Sequence, residues 1–259
     1  MRVFNFDHAI VRRPCRNVVD GLRSDATAEP DFEGIVREHD TYVAALEGAG
    51  LIVDVLPPLE AFPDSVFVED PALVFPEGAI LLRPGAPTRL GEREEMRAPL
   101  HQRFEQVLEI EGDDEYADGG DVLVMSDIVL IGLSKRTNRK GAQALCEKLA
   151  RLGRKAKIVE TPKAVLHFKT AVSLLDEETV LATRTMADSG IFAGYKTVLV
   201  PEGEEAAANA LRVNRVVLLG AHFPRTMDRV VKEKFAVAAV DVSEIGKLDA
   251  GLSCMSLRW

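Results

Sequence analysis

Three residues that lie far apart in the sequence carry the side chains of a nucleophilic catalyst. Cys254 ends the segment KLDAGLSC, His167 lies in the segment LHFK, and Asp118 begins the segment DGGD. A thiol attacks well when a base or a cation helps to ionise it, and a carboxylate can orient the imidazole that acts as the base. Taken singly, each residue has an ordinary structural explanation: a core thiol, a core histidine and a glycine turn.

A second group of polar residues is acidic and lies in a mostly apolar segment. Asp64, Glu69 and Asp70 fall within PDSVFVEDP, residues 63–71. Unpaired carboxylates are costly to bury, so we expect a cationic partner. That partner is either an internal arginine or the guanidinium of a ligand, whose flat fork matches paired carboxylates. The sequence leaves both open.

Two arginines follow strands that we predict to be equivalent. Arg89 ends the segment RPGAPTR, and Arg136 lies in GLSKRTN. Such residues are usually solvated, but at the mouth of a binding site they could hold a carboxylate. No two of the five histidines have the spacing of metal ligands, so we expect no metal site.

The elements that must position these residues repeat along the chain. The first copy reads as a helix at 32–50 and strands at 51–56, 65–75 and 79–83. Further helices are predicted near residues 92, 140, 186 and 225, and the strands equivalent to 65–75 are predicted at 121–125, 165–175, 207–213 and 252–257. A strand at 4–12 would complete the last copy. Units of this length that need neighbours to bury a face indicate a repeat architecture.

We therefore predict an α/β fold, a five-fold pseudo-symmetric α/β propeller of the pentein kind, closed into a ring by the N-terminal strand. One catalytic domain would cover residues 1–259. The alternative is a doubly wound α/β domain, which strand–helix alternation usually indicates. Hairpin pairs and the lack of a GxGxxG segment after a strand argue against that alternative.

The repeat also predicts where the polar residues meet. The loop between the first and second strands takes the same place in every copy, so a ring would bring these loops together at one end of its axis. The following residues fall in or just after those loops: Asp64, Glu69, Asp70, Asp118, Asp121, His167 and Cys254.

Composition limits the classes of partner and compartment. A net charge of −9 argues against nucleic acid and is compatible with a small cationic substrate. Three widely spaced cysteines favour free thiols in a reducing compartment. No apolar run is long enough to span a membrane, and the first residues do not read as a signal peptide. We expect a cytoplasmic protein, either a monomer or a homodimer.

On its motifs the chain resembles the dimethylarginine dimethylaminohydrolases, within the superfamily of guanidino-group-modifying enzymes. The likeness covers nearly the whole length. It rests on six ordered segments: DSVFVED at 64–70, RPGAPTR at 83–89, DGGDVL at 118–123, GLSKRTN at 132–138, LHFK at 166–169 and KLDAGLSC at 247–254. The family fold is a five-fold α/β propeller, which agrees with the repeat.

The resemblance implies a role for each matching residue. Cys254 would be the nucleophile, His167 the general acid and base, and Asp118 the orienting carboxylate. Three acids would surround the substrate guanidinium, two arginines would contact its amino-acid end, and two leucines would line the pocket. In that order, these substrate-binding residues are Asp64, Glu69, Asp70, Arg89, Arg136, Leu22 and Leu248.

The implied reaction is hydrolysis of Nω-methylated arginines to citrulline and dimethylamine or methylamine, through a covalent cysteine intermediate. It requires no cofactor, and the only implied partner is the methylated arginine. Arginine and agmatine deiminases typically carry His-x-Asp, whereas here Lys169 stands in place of that acid. A deiminase of arginine or another guanidine is one alternative, and a non-catalytic arginine-binding protein is the other.

Overall fold

A computed structural model describes residues 3–163 and 165–259, and within them the strands form five three-stranded sheets. The strands are β1 His8–Arg12, β2 Ile52–Leu56, β3 Ala72–Phe75, β4 Gly78–Leu81, β5 Val107–Glu109, β6 Val122–Val124, β7 Val129–Leu133, β8 Ala156–Glu160, β9 Val172–Leu174, β10 Thr179–Ala182, β11 Lys196–Leu199, β12 Leu211–Val213, β13 Val216–Gly220, β14 Ala236–Val240 and β15 Leu257–Arg258. The helices are α1 Phe32–Gly48, α2 Glu92–Arg103, α3 Arg139–Arg151, α4 Arg184–Ala187, α5 Pro224–Lys232 and α6 Ser243–Gly246.

All five sheets have the same order. They are β3-β4-β5, β6-β7-β8, β9-β10-β11, β12-β13-β14 and β15-β1-β2. In each sheet the first two strands are antiparallel, and the third is parallel to the middle one after a helical crossover. The predicted five-fold α/β propeller is confirmed. The boundaries of the repeat differ, because each sheet takes its third strand from the next predicted copy.

The N-terminal strand joins the last unit, as the sequence suggested. β1 pairs antiparallel with β15, where Ala9 lies opposite Arg258 and Ile10 opposite Leu257, and it pairs parallel with β2. The ordered strand is shorter than the predicted 4–12. Closure of the whole ring and the single domain over 1–259 stay predictions.

The predicted strands that lead into the site were too long. Each begins instead with a short 3-10 turn, and the strand starts later. The backbone there bonds to neighbouring units: the Glu69 amide donates to the Cys254 carbonyl and the Gly119 amide to the Asp70 carbonyl. Such donors are not available to a strand ladder. The affected predictions are 65–75, 165–175, 207–213 and 252–257, whereas the strand predicted at 121–125 agrees with β6 Val122–Val124.

Helix α1 shows how the sequence determines the outer layer. The Asp31 side chain caps its first turn by accepting a hydrogen bond from the Gly34 amide at 2.7 Å. Ile35, Tyr42 and Leu46 recur at helical spacing and are fully buried, so this face packs onto the adjacent sheets. Within the described residues, no helix is long and apolar enough to cross a bilayer.

Candidate active site

The five 3-10 turns carry the polar residues predicted to converge. Each turn precedes the innermost strand of its sheet, and the second contacts the third, which contacts the fourth. In chain order the turns are Pro63–Val66, Gly119–Asp121, Phe168–Thr170, Glu205–Ala208 and Leu252–Met255. The side chains discussed below project from these turns or from residues next to them.

Asp118 and His167 form a hydrogen bond across two neighbouring units. The Asp118 Oδ2 atom lies 3.0 Å from His167 Nε2, and Asp118 is fully buried. Its second oxygen, Oδ1, accepts from the Gly85 amide at 2.7 Å. Because both oxygens have partners, the carboxylate is fixed and in turn fixes the imidazole. Nδ1 is left as the nitrogen that can exchange a proton with a substrate.

The two glycines of the DGGD segment allow this close approach. A Cβ atom on Gly119 would lie 2.0 Å from the Glu69 carbonyl oxygen. A Cβ atom on Gly120 would lie 2.8 Å from His167 Nδ1 and 3.0 Å from Asp70 Oδ1. Any side chain at either position would therefore push the neighbouring unit away. The DGGD segment therefore contributes in two ways: its aspartates supply carboxylates, and its glycines, which have no side chains, let the acids and the imidazole approach one another.

The His167 imidazole is stabilised in its charged form. Burial alone would lower its pKa, but Asp70, the hydrogen bond from Asp118, and Asp121 outweigh that effect and raise the pKa of His167 to about 9. At neutral pH the ring is therefore an imidazolium. It can donate a proton to a leaving group without first having to acquire one.

Cys254 is a neutral thiol in the same surroundings. Burial raises the pKa of the Cys254 thiol, and the charges of Glu69 and Asp70 raise it further, to about 12. Its Sγ atom accepts a hydrogen bond from the Gly251 amide at 3.5 Å. An added cation beside the sulfur would reverse much of this shift.

Asn209 is a site residue that the sequence analysis missed. It follows the fourth 3-10 turn and is buried, with Nδ2 3.8 Å from Cys254 Sγ. Its Oδ1 accepts from the Ser253 amide at 3.0 Å, and a Cβ on Gly251 would lie 2.6 Å from its Cγ. The signal was available: Asn209 lies in the predicted fourth copy, at the position equivalent to the other site residues.

Arg89 is buried and paired with acids, rather than placed at an open mouth. Its guanidinium forms an ion pair with Asp70 and donates to both oxygens of Glu92, at 2.9 and 2.7 Å. This is the internal arginine that the sequence left open as the partner of Asp70. Burial raises the pKa of Asp70, but Arg89 and His167 outweigh it and lower that pKa to about 2. Burial raises the pKa of Glu92 to about 7 despite Arg89.

Glu69 has an internal cation too, and it is a lysine. The Lys169 Nζ atom donates to Glu69 Oε1 at 2.6 Å, and the Ser253 hydroxyl donates to Oε2 at 3.0 Å. The residue that replaces the acid of His-x-Asp therefore forms an ion pair with a buried acid. The Glu69 amide also donates to the Cys254 carbonyl, so the ion pair helps to hold the turn that carries the cysteine.

Asp64, Leu22 and Leu248 lie together at another edge of the site. The Leu22 amide donates to Asp64 Oδ1 at 2.9 Å. A Cβ on Gly21 would lie 3.1 Å from that oxygen and 3.4 Å from a methyl carbon of Leu248. Burial raises the pKa of Asp64. Leu22 is 37% exposed and Leu248 is 3% exposed, so only Leu22 reaches the surface.

Arg136 and Asp121 complete the group of predicted residues. Arg136 Nη1 lies 3.7 Å from Asp118 Oδ2, and its side chain is partly exposed. Asp121 is buried and accepts hydrogen bonds from Thr137 Oγ1 at 2.7 Å and from the Phe168 amide at 2.8 Å. Asp121 therefore ties the loop of Arg136 to the turn that follows His167. Burial raises the pKa of Asp121 to about 6.

Asp70, Asp118 and His167 each place one ligand atom within 4.8 Å of the others, a spacing that could hold a metal ion. Each of the three already has a protein partner: Arg89 for Asp70, Gly85 for Asp118, and Asp118 for His167. The chemistry of the group is explained by these bonds. The expectation that the reaction needs no metal or cofactor stays a prediction.

Comparison with known proteins identifies relatives along the whole chain. A family model for arginine deiminases matches residues 53–207. The N(G),N(G)-dimethylarginine dimethylaminohydrolase of Pseudomonas aeruginosa is 37% identical over 254 residues, which are 98% of this chain and 100% of that protein. The enzyme of the same name from Streptomyces coelicolor is 34% identical, over 96% of each chain.

Solved structures agree with this result. The Pseudomonas aeruginosa enzyme, as a cysteine-to-serine mutant complexed with citrulline, superposes with a TM-score of 0.95 at 37% identity, covering 99% of this chain and 100% of that one. The N-terminal domain of ArgZ, covalently bound to a reaction intermediate, has a TM-score of 0.85 at 19% identity and covers 97% of each chain. At that identity the ArgZ structure supports the shared fold alone.

Proposed function

Because this chain belongs to the dimethylarginine dimethylaminohydrolase family, we propose that it hydrolyses Nω-methylated arginines to citrulline and dimethylamine or methylamine. The observation that carries the proposal is the 3.0 Å hydrogen bond between His167 and Asp118. Asp70 raises the pKa of both His167 and the Cys254 thiol, so these groups share one electrostatic environment. Nucleophile, proton donor and orienting carboxylate are the parts that this hydrolysis needs. Residues 1–259 act as one catalytic domain.

The substrate guanidinium binds among the buried acids. Asp70 holds an unmethylated nitrogen, because Arg89 and the Gly120 amide keep this carboxylate ionised and oriented. Asp64 and Glu69 add negative charge, and Leu22 and the backbone at Leu248 line the pocket.

Two arginines concern the amino-acid end of the substrate. Arg136 contacts the substrate carboxylate, since its side chain is partly exposed beside Asp118. Arg89 reaches that end only by leaving its acidic partners Asp70 and Glu92, so its main effect is on the acids that face the guanidinium.

The first half of the reaction uses the substrate charge. The guanidinium beside Cys254 favours the thiolate, and the thiol proton passes to solvent. The thiolate then attacks the guanidinium carbon and forms a C–S bond. His167 transfers its proton to the methylated nitrogen, the C–N bond breaks, and dimethylamine or methylamine leaves. What remains is a thiouronium adduct on Cys254 and a neutral imidazole.

The second half regenerates the enzyme. The neutral His167 takes a proton from water, which attacks the thiouronium carbon, and the C–S bond breaks to release citrulline. Asp118 stabilises the imidazolium that forms again. One water is consumed for each citrulline and amine, and no other reactant is needed.

A preference for methylated substrates follows from Lys169. Deiminases typically place a second acid there to bind the other terminal nitrogen, whereas Lys169 is bonded to Glu69. A nitrogen that carries two methyl groups has no hydrogen to donate, so it loses nothing when that acid is absent.

Incubating the purified protein separately with asymmetric dimethylarginine, arginine and agmatine tests the proposal, with citrulline, carbamoylputrescine and amine release as readouts. Citrulline with an equal amount of dimethylamine from the methylated substrate alone is the expected result. Turnover of arginine or agmatine alone would make the protein a deiminase. No turnover of any substrate would favour a non-catalytic arginine-binding protein.

Two cysteine variants show whether turnover uses the proposed thiol. Cys254→Ser removes the nucleophile and abolishes activity, whereas Cys146→Ser leaves it unchanged. Cys146 is a suitable control because it is also a free, partly exposed cysteine, on helix α3. Normal activity of the Cys254 variant would refute the nucleophile assignment.

A further inference from the structure

The side chain of Asn209 is held against the Cys254 sulfur by a unit other than the one that carries the cysteine. Its Nδ2 atom lies 3.8 Å from Cys254 Sγ, and sulfur is larger than oxygen, so hydrogen bonds to it are longer. Asn209 is 8% exposed, and its backbone amide donates to the Ala206 carbonyl at 3.2 Å, at the end of the fourth 3-10 turn. The position of the side chain is therefore set before any substrate binds.

The orientation of the Asn209 amide group follows from its second contact. The oxygen and the nitrogen of an asparagine side chain have nearly the same shape, so their partners decide which is which. The Ser253 amide donates to Oδ1 at 3.0 Å, and a backbone N–H needs an oxygen there. Nδ2 is then the atom that faces Cys254, and among the described residues the sulfur is its acceptor.

Gly251 supplies a second N–H donor and the space for the first. Its backbone amide donates to Cys254 Sγ at 3.5 Å. A Cβ atom at position 251 would lie 2.6 Å from Asn209 Cγ and 2.9 Å from Asn209 Oδ1, so only a glycine lets the asparagine approach the cysteine turn this closely. The sulfur thus meets two N–H groups, one from its own turn and one from the neighbouring unit.

N–H donors act on the sulfur in the direction opposite to the acids. Burial, Glu69 and Asp70 raise the pKa of the Cys254 thiol, and the Gly251 amide lowers it. A hydrogen bond to a charged acceptor is stronger than one to a neutral acceptor, so a donor stabilises the thiolate more than the thiol. The sulfur carries this charge twice in the proposed reaction: before it attacks, and when the C–S bond breaks and the sulfur leaves with both bonding electrons.

We propose that Asn209 is a further catalytic residue: its side-chain N–H and the Gly251 amide together form a two-donor site for the Cys254 thiolate. Such a site works as preorganised donors do for an oxyanion, because the donors are in place where the charge develops. It favours both the attack of the sulfur and its release from the thiouronium adduct. The catalytic effect rests on the proposed function, whereas donation to the sulfur does not.

Two variants separate donation to the sulfur from the other properties of Asn209. Asn209→Leu removes the donor and the bond to the Ser253 amide without adding a charge. Asn209→Asp keeps an oxygen for the Ser253 amide but presents a second oxygen to the sulfur. The N–H donor is the one property that both variants lose. Asn5→Asp makes the same chemical change at an exposed asparagine and is the matched control.

Alkylation by iodoacetamide at mildly alkaline pH, read at each cysteine by peptide mass spectrometry, tests donation without any turnover. The reagent reacts with the thiolate, so its rate at fixed pH follows the thiolate fraction. Labelling of Cys254 falls about 3- to 10-fold in both Asn209 variants, less than the thiolate fraction itself, because a less stabilised thiolate is more nucleophilic. Labelling of Cys146, a free cysteine in the same samples, stays constant, and Asn5→Asp behaves as the unaltered protein. Unchanged labelling of Cys254 in either Asn209 variant would overturn the proposal.

Steady-state turnover of the methylated arginine tests the catalytic effect. In both variants kcat falls about 10- to 100-fold with little change in KM, because the donor acts on the sulfur and not on the substrate. Normal kcat in Asn209→Asp would mean that the bond to Ser253 alone matters, and a rise in KM alone would place Asn209 in substrate binding; either result contradicts the proposal. If Asn209→Leu does not fold, Asn209→Asp is judged against Asn5→Asp. If the unaltered protein turns over no substrate, the proposed function fails, and the labelling still tests donation.

Discussion

At the scale of single residues, Cys254 and His167 both keep their protons at neutral pH, but the protonated thiol is neutral and the protonated imidazole is positively charged. Burial, with the acids Glu69 and Asp70 adding to it, raises the pKa of the thiol to about 12, whereas acids outweigh burial and raise the pKa of the imidazole to about 9. The same negative charge thus keeps the nucleophile neutral and the proton donor charged. The substrate guanidinium is the added cation that favours ionisation of the thiol.

We predict that free protein shows no Cys254 thiolate over the range in which an ordinary thiol, with a pKa of about 8.5, ionises. Burial raises the pKa of this thiol, and Glu69 and Asp70 raise it further against the opposing effect of Lys169. The measurement is ultraviolet absorbance of the thiolate against pH, with the Cys254→Ser trace subtracted. A step at or below the ordinary value would contradict this electrostatic account.

The second prediction concerns the partner of the imidazole. Asp118→Asn lowers kcat by about 10²- to 10⁴-fold, because the ring loses its orientation and the charge that stabilises it. Asp118 helps to raise the pKa of His167, so the alkaline fall in rate, expected near pH 9, moves to lower pH. Steady-state rates against pH provide the measurement.

Asp114→Asn is the matched control, because this exposed aspartate pairs only with Lys140 outside the site. The control keeps both the rate and its pH profile. A profile of Asp118→Asn that fell in overall rate but kept its alkaline limb would show that the carboxylate acts only on folding.

At the scale of elements, the 3-10 turns make the site, and the sequence predicted most of them as the starts of strands, although it predicted a turn at the glycines of DGGD. The apolar residues at 66–68 read as the start of a strand, but the backbone there bonds to a neighbouring unit. The sequence therefore predicted which loops converge and missed the conformation of most of them. It likewise missed Asn209, which lies at the equivalent position of the fourth predicted copy, because an amide, unlike a thiol, an imidazole or an acid, does not by itself indicate catalysis. It also left open whether Asp70 binds Arg89.

The third prediction tests the space between these turns. Gly120→Ala places a Cβ against His167 Nδ1 and Asp70 Oδ1, so both move. A misplacement of this kind costs on the order of 100-fold in kcat. Gly48→Ala, at the end of helix α1, meets no atom within 4 Å and leaves turnover unchanged. If both variants keep full activity with their fold intact, the close approach at Gly120 does not matter for catalysis.

At the scale of the whole molecule, the first and last strands share a sheet. Ile10 on β1 is buried between its neighbours, and Trp259, after β15, stacks on His8 and meets Phe104 edge-on. The repeat predicted this partnership from a strand missing at one end and spare at the other. It could not predict the aromatic contacts, because these depend on the packing of separate units.

The fourth prediction follows from that sheet. Trp259 is the single tryptophan of the chain, so its fluorescence reports on this sheet, whereas far-ultraviolet circular dichroism reports on all units. In urea the two transitions coincide, because the units depend on one another for buried surface. A fluorescence change at lower urea than the dichroism change would show that this sheet opens first.

The fifth prediction uses two isoleucines of the same sheet. Ile10→Ala lowers the free energy of unfolding by about 2–5 kcal/mol and shifts both signals equally, since Ile10 is 1% exposed. Ile52→Ala, at a site 64% exposed on β2, changes it by less than about 0.5 kcal/mol. Equal losses in the two variants would contradict the packing described for β1.

Since the site takes its parts from separate units, no single unit carries a usable fragment of the chemistry. A chain divided at the exposed turn 176–178 would leave Asp118 and His167 on one piece and Cys254 on the other. Neither piece would be active by itself. Turnover would return only when the two pieces reassociated. The fold could then serve as a split reporter, in which enzymatic activity reports that the two pieces have come together.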